Sequence, residues 1–232
     1  MAKTLTQIRA SVEKYVQDRD SNLNSEDFDD AIERATLALS RRNPYVLFND
    51  LAGTGLVFEW ALATTYIPGL SSISRVIYPW ETDDSYDPVD PLDIDEYMVY
   101  EKTAGAWYFK LIGRTPSASE TVRITYSSKH VISDTASSCT ITNPDHEFNV
   151  ICLAAAFCLQ MLAARAIAVG NPTLGADTVS YQTRSGEYSS RAKELIEQSG
   201  LKSYMTEEAK GFGAFFSAGE STDTSNLLVK IS

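Results

Sequence analysis

The run from Val150 to Val169, VICLAAAFCLQMLAARAIAV, constrains the fold of this chain more than any other stretch. As a helix rising about 1.5 Å per residue it would span about 30 Å, the thickness of a bilayer's hydrocarbon core. Two features predict a buried helix of a folded core instead. Gln160 and Arg165 interrupt the run, and Ala154, Ala155, Ala156, Ala163, Ala164 and Ala166 keep its girth small, so that other helices can approach closely. Asn143-Pro144-Asp145 predicts the start: Asn caps, Pro takes the first helical position, and Asp145 and Glu147 meet the positive end of the helix dipole. Phe148, Ile151, Cys152, Ala155, Leu159 and Leu162 carry the apolar face, and Gly170-Asn171-Pro172 predicts the end.

Such a helix needs others around it, and three segments have the period to supply them. Leu5, Ile8, Val12, Tyr15 and Val16 share one face of a first helix; Phe28, Ile32, Ala35 and Leu39 share one face of a second. Ser25 is the expected N-cap of the second, with Glu26, Asp27, Asp29 and Asp30 in its first turn, Arg41 and Arg42 at its end, and Pro44 stopping it. A last helix, from about Asp177 to Ser199, puts Tyr181, Ser185, Tyr188, Ala192, Leu195 and Ile196 in register and ends at Gly200.

Between these helices, from Leu51 to about Ser138, the texture changes to short runs rich in aromatic and β-branched residues. Leu56–Trp60, Ile73–Tyr78, Glu96–Glu101, Trp107–Ile112 and Thr121–Ser127 read as strands of a small antiparallel sheet or sandwich, punctuated by Gly and Pro. The fold class expected is therefore α+β: a helical bundle of two N-terminal and two long C-terminal helices, interrupted by an antiparallel β insertion. The divisions are 1–50, N-terminal helices; 51–140, β insertion; 141–203, C-terminal helices; and 204–232, an extended C-terminal arm.

Composition narrows the function. At 232 residues and 44% hydrophobic the chain can bury a core, as one domain or two closely packed lobes. A net charge of −11 speaks against a surface built to neutralise phosphates, so DNA is expected to be repelled rather than gripped. The N-terminus lacks the apolar core of a secretory signal, which places folding in the cytosol. Cys139, Cys152 and Cys158 are expected as small core residues, not a disulfide framework.

Catalytic and cofactor patterns find little purchase. His130 and His146 lie in no HExxH, HxH or Cys/His cluster and read as surface or turn residues. Gly53-Thr54-Gly55 and Gly211-Phe212-Gly213 complete no phosphate loop and read as turns. No cofactor and no metal are expected. The run Glu81–Glu96, ETDDSYDPVDPLDIDE, lacks the mid-loop Gly of a calcium hand and reads as a solvated acidic loop. If repeated round a ring, its Asp83, Asp84, Asp87, Asp90, Asp93 and Asp95 would line a passage with negative charge. The aromatics Trp60, Tyr66, Tyr78, Trp80, Tyr100, Trp107, Tyr108 and Phe109 are mostly core by alternation. Phe212, Phe215 and Phe216, in a Gly-rich segment ill suited to burying them, read as anchors for another chain.

Five segments, in this order, resemble the head-to-tail connector (adaptor) proteins of tailed bacteriophages. They are IERATLALSRRNP (Ile32–Pro44), SSISRVIYPWE (Ser71–Glu81), VRITYSSKH (Val122–His130), NVICLAAAFCLQMLAA (Asn149–Ala164) and GADTVSYQTRSGEYSSRAKELIEQ (Gly175–Gln198). The resemblance covers most of the chain up to about residue 200. It implies a homo-oligomeric ring of about twelve subunits in the virion neck, assembled in the host cytoplasm. The ring would dock on the portal and present a surface to the next tail or stopper protein. DNA would pass through as cargo; no membrane, catalytic residue or enzyme activity is implied. On that reading Phe212, Phe215, Phe216, Leu227, Leu228, Val229 and Ile231 grip the portal, and the acidic loop faces the DNA channel. The rival readings are another virion part, such as a stopper or tail terminator, and a carbohydrate-active hydrolase or binding protein using an Asp/Glu pair of the β region.

Overall fold

The computed structural model describes residues 2–18, 22–80, 90–169 and 178–205, and their side chains except those of 168, 169 and 178–183. Four α-helices and two three-stranded antiparallel sheets make a mixed α+β fold. The helices are α1 (Leu5–Val16), α2 (Ser25–Arg42), α3 (Pro144–Val169) and α4 (Thr178–Ser199). The strands are β1 (Tyr45–Ala52), β2 (Glu59–Ala61), β3 (Ile73–Ile77), β4 (Tyr97–Thr103), β5 (Ala106–Leu111) and β6 (Thr121–Ser128). They fall into two compact units, one of residues 39–142 with all six strands, the other of residues 3–38 and 143 onward.

In the helical unit α3 packs against α1 and α4. Every residue from Val150 to Gln160 is buried, on all sides of the helix, which is why its composition matches a membrane span while 72% of its most apolar window is covered by protein. Alanine matters here because Ala154, Ala155 and Ala156 are all fully buried, so neighbours lie against the helix without the spacing that larger side chains impose. Asn143 starts it, its side chain accepting from the Asp145 N–H at 2.9 Å. On α1, Ile8, Val12 and Val16 are buried, and Thr4 and Gln7 form a reciprocal cap.

Ion pairs tie the helices at their exposed rims. Arg9 of α1 makes a forked bond to Asp29 of α2 at 2.7 Å, Lys3 reaches Glu147 at 2.5 Å, and Arg165 of α3 reaches Asp27 at 3.0 Å. Asp27 has a second role. The cap of α2 is Asn24, one residue before the expected Ser25: its side chain accepts from the Asp27 N–H, and the Asp27 carboxylate accepts from the Asn24 N–H, both at 2.9 Å. That backbone N–H, and Arg165 after it, hold the Asp27 carboxyl below the usual range.

All three cysteines are free and buried, as small core residues. Burial pushes the Cys152 thiol up to about 11 and that of Cys158 to about 12, so neither offers a thiolate near neutrality. In the native protein Cys152 and Cys158 are therefore expected to resist an aromatic disulfide reagent at pH 8 and to react fully in denaturant; rapid native labelling at either, mapped by peptide mass, would contradict the packing of α3.

In the strand unit the sheet orders are β1-β6-β3 and β2-β5-β4. Both sheets feed one core: Leu51, Val76, Val122, Ile124 and Tyr126 from the first, Phe109 and Leu111 from the second. Among the described aromatics of the β region Phe109 and Tyr126 are buried; Trp60, Tyr66, Tyr78 and Tyr97, with the aliphatic Val99, pack half-buried around the cluster. Tyr97 stacks on Phe109 at 5.6 Å between ring centres, and the Tyr126 hydroxyl meets that of Thr65 at 2.7 Å. The Tyr78-Pro79 peptide is cis.

His130 corrects the expectation of a surface residue. It is 7% exposed, its backbone N–H donating to the Ser40 hydroxyl at 2.8 Å. Its ring joins two connections, Nδ1 to Thr140 Oγ1 at 3.0 Å and Nε2 to the Asn43 carbonyl at 2.9 Å. Both ring nitrogens are thus occupied in holding the chain where it leaves α2 and where it follows β6.

Candidate functional site

β1 was absent from the strands expected of the sequence, lying in the stretch assigned to the N-terminal helices, and it carries the most distinctive surface of the strand unit. It pairs with β6 without a break in register, from Tyr45 opposite Ser128 to Ala52 opposite Thr121. Alternation divides its side chains: Tyr45, Leu47, Asn49 and Leu51 are at least partly covered, while Val46, Phe48, Asp50 and Ala52 are exposed. Val46 is 60% exposed and Phe48 65%. Along its other edge β1 has no strand partner among the described residues.

Beside this apolar pair stands Arg123 of β6, opposite Asp50 in the register. Its guanidinium makes two parallel bonds to the Asp50 carboxylate, Nε to Oδ1 and Nη2 to Oδ2, each 2.6 Å. The same group lies 3.7 Å from the ring centre of Trp80 and 4.6 Å from that of Phe48. The guanidinium's hydrogen bonds to Asp50 raise its already high pKa, so its charge is permanent. One cation therefore contacts two aromatic rings, the exposed Phe48 and the half-buried Trp80, and one carboxylate. Rigid aromatic and Arg side chains of this sort lose little entropy when a partner covers them.

The second sheet presents a different outer face. Glu59 of β2 binds Lys102 of β4 at 2.5 Å, Lys102 lies 4.9 Å over the Tyr108 ring, and Tyr100 and Tyr108 face each other at 6.4 Å. Hydrogen bonds from Lys102 and then Tyr100 hold the Glu59 carboxyl low, and Glu59 in turn raises both partners. This face is already engaged with itself. A second apolar string, Leu56, Val57 and Phe58, leads into β2 with Leu56 85% exposed, its backbone turned by two N–H groups donating to Thr54 Oγ1.

Among the residues expected to line a channel, Asp90, Asp93 and Asp95 are exposed. Asp93 caps the short 3-10 turn Ile94–Glu96, its N–H donating to the Glu96 carboxylate at 3.0 Å. Asp83, Asp84 and Asp87 lie outside the described residues, as do Phe212, Phe215, Phe216, Leu227, Leu228, Val229 and Ile231. Among the described residues no group of three or more His, Cys, Asp or Glu is placed to hold a metal ion. The carboxylates of the β region with resolved shifts, Glu59 and Glu120, are both held low, Glu120 first by the Ser117 N–H and then by the Tyr78 hydroxyl. A general acid needs the opposite shift. No protein-family model matches the chain, and a sequence search of curated proteins finds no match.

Proposed function

We propose that this chain is a non-enzymatic structural subunit of a tailed-phage neck. Copies assemble into a ring, about twelve by analogy, that joins the portal of the head to the next tail component and lets DNA pass through its lumen. On this reading the four helices are one bundle, the two sheets are an insertion in it, and residues 204–232 form an extended arm that grips the portal. The observation that carries the reading is the outer face of β1: an eight-residue strand with no strand partner on its other edge among the described residues, and with Val46 and Phe48 exposed beside Arg123 and the half-buried Trp80. A contiguous exposed apolar surface of this kind is characteristic of a protein that works by covering it with another protein.

Three further features support it. The five segments that resemble connectors include both α3 and α4. The acids Asp90, Asp93 and Asp95 are exposed, and with Asp83, Asp84 and Asp87 they would turn a like-charged wall toward passing DNA. The arm residues Phe212, Phe215, Phe216 and Leu227, Leu228, Val229, Ile231 are adhesive in type and are mixed with Gly and Ser. A stopper or tail terminator would share the chemistry and differ in partner, so binding to portal separates those roles.

The test is the full-length protein mixed with isolated portal, followed by co-sedimentation and electron microscopy. A ring of defined symmetry seated on the portal is expected, and deleting residues 206–232 is expected to abolish the binding while leaving the thermal transition in place. Absence of any ring together with absence of portal binding overturns the proposal; binding undiminished by the deletion overturns the role of the arm.

A further inference from the structure

The sheet edges differ in how they are protected. The β3 edge is partly covered, the Val76 carbonyl accepting from the Leu92 N–H at 2.9 Å. β2 is only three residues long, and β4 carries Lys102 and a register shift between Glu101 and Thr103. β1 has no Lys, no Pro and no bulge, and a single acid, Asp50, already paired with Arg123; only at its far end is the edge touched, the Trp60 indole N–H donating to the Ala52 carbonyl at 3.0 Å. An unprotected edge of this length is a template for another strand.

The last residues of this sequence have the matching pattern. In Leu227-Leu228-Val229-Lys230-Ile231, alternation puts Leu227, Val229 and Ile231 on one face and Leu228 and Lys230 on the other. Laid beside β1, the first set would extend the exposed row of Val46 and Phe48, where cross-strand apolar pairs stabilise a sheet. The stretch between Met205 and Leu227 can span up to about 75 Å when extended, enough to reach another subunit. No described residue of the chain covers Val46 or Phe48, which stay 60% and 65% exposed.

We propose that residues 227–231 of one copy add as a strand to the free edge of β1 in a neighbouring copy, tying subunits together hand to hand. This rests on the ring reading above and narrows it: the terminal strand serves subunit contact, leaving Phe212, Phe215 and Phe216 to the portal. The test uses full-length protein with Phe48 replaced by photoreactive benzoylphenylalanine, prepared with and without heavy isotopes, mixed at assembly concentration and irradiated. Cross-links from position 48 to peptides covering 227–231, in isotopically mixed pairs, are expected. Val229→Pro, which removes a ladder donor, should abolish those cross-links and weaken self-association at least tenfold, whereas Val229→Thr should retain both. Cross-links confined to one chain, or to other surfaces, or none, overturn the inference. If they are absent while the wild type still forms rings on portal, the strand exchange fails and the ring reading stands. If they are present in a protein that neither rings nor binds portal, the strand exchange holds and the ring reading fails.

Discussion

Replacing Phe109 with alanine is expected to destabilise the protein by about 3–5 kcal/mol, the range for losing a buried phenylalanine. Phe109 is fully buried on β5, the central strand of its sheet, opposite Trp60 on one neighbour and Val99 on the other. Its ring stacks on Tyr97 at 5.6 Å and faces Trp60 at 6.3 Å, and it belongs to the cluster where both sheets meet. Truncation removes the ring from the cluster to which both sheets contribute, so both lose contacts. Phe109→Leu keeps most of the volume and should cost about 1.5 kcal/mol or less. Urea denaturation, with hydrogen exchange to locate the loss in β2, β4 and β5, measures this. An unchanged midpoint for Phe109→Ala would mean that the two sheets do not share a core.

In the helical unit Leu159→Ala should cost about 2–5 kcal/mol, for a related reason. Leu159 is fully buried in a helix covered on every side from Val150 to Gln160. The opposite change is also expected to hurt: Ala155→Leu inserts volume where a fully buried alanine leaves room for none, at about 1–3 kcal/mol. Sensitivity to both signs of volume change distinguishes a helix enclosed by protein from one with a lipid-facing or solvent-facing side, where Ala155→Leu or Leu159→Ala would be tolerated. Thermal melts of the two variants provide the measurement.

How much of this was legible in the sequence varies with the range of the interaction. Period and caps are local, so α3 could be placed from Asn143-Pro144 and its apolar run, and four of the five expected strands overlap β3, β4, β5 and β6 almost residue for residue. The fifth, Leu56–Trp60, shrinks to Glu59–Ala61 because Thr54 holds Leu56 and Val57 in a turn. β1 was missed because its two faces are both partly apolar: Val46 and Phe48 blur the alternation of Leu47 and Leu51, and Pro44 directly before it reads as the end of a helix into a connection. The pairing of Arg123 with Asp50, 73 positions apart, is a consequence of sheet register, which a linear pattern does not encode. The same holds for His130, whose partners Asn43 and Ser40 lie 87 and 90 positions away. The N-cap of α2 moved one residue to Asn24 because a cap is decided by which side chain reaches back to the first turn, and Asn24 and Ser25 are both suitable types.

The division of the chain also has a consequence in time. α1 and most of α2 belong to the same unit as α3 and α4, yet residues 39–142 intervene and make up the strand unit almost alone. During synthesis at about 5–20 residues per second, the first two helices emerge about 5–20 s before α3 exists to receive them. For that interval Ile8, Val12, Val16, Phe28 and Ile32, all buried in the finished protein, lack the cover that α3 and α4 will bring. The strand unit, made in one continuous stretch, is free to close first. Translation thus sets an order in which the first two helices are made before the unit that houses them can close.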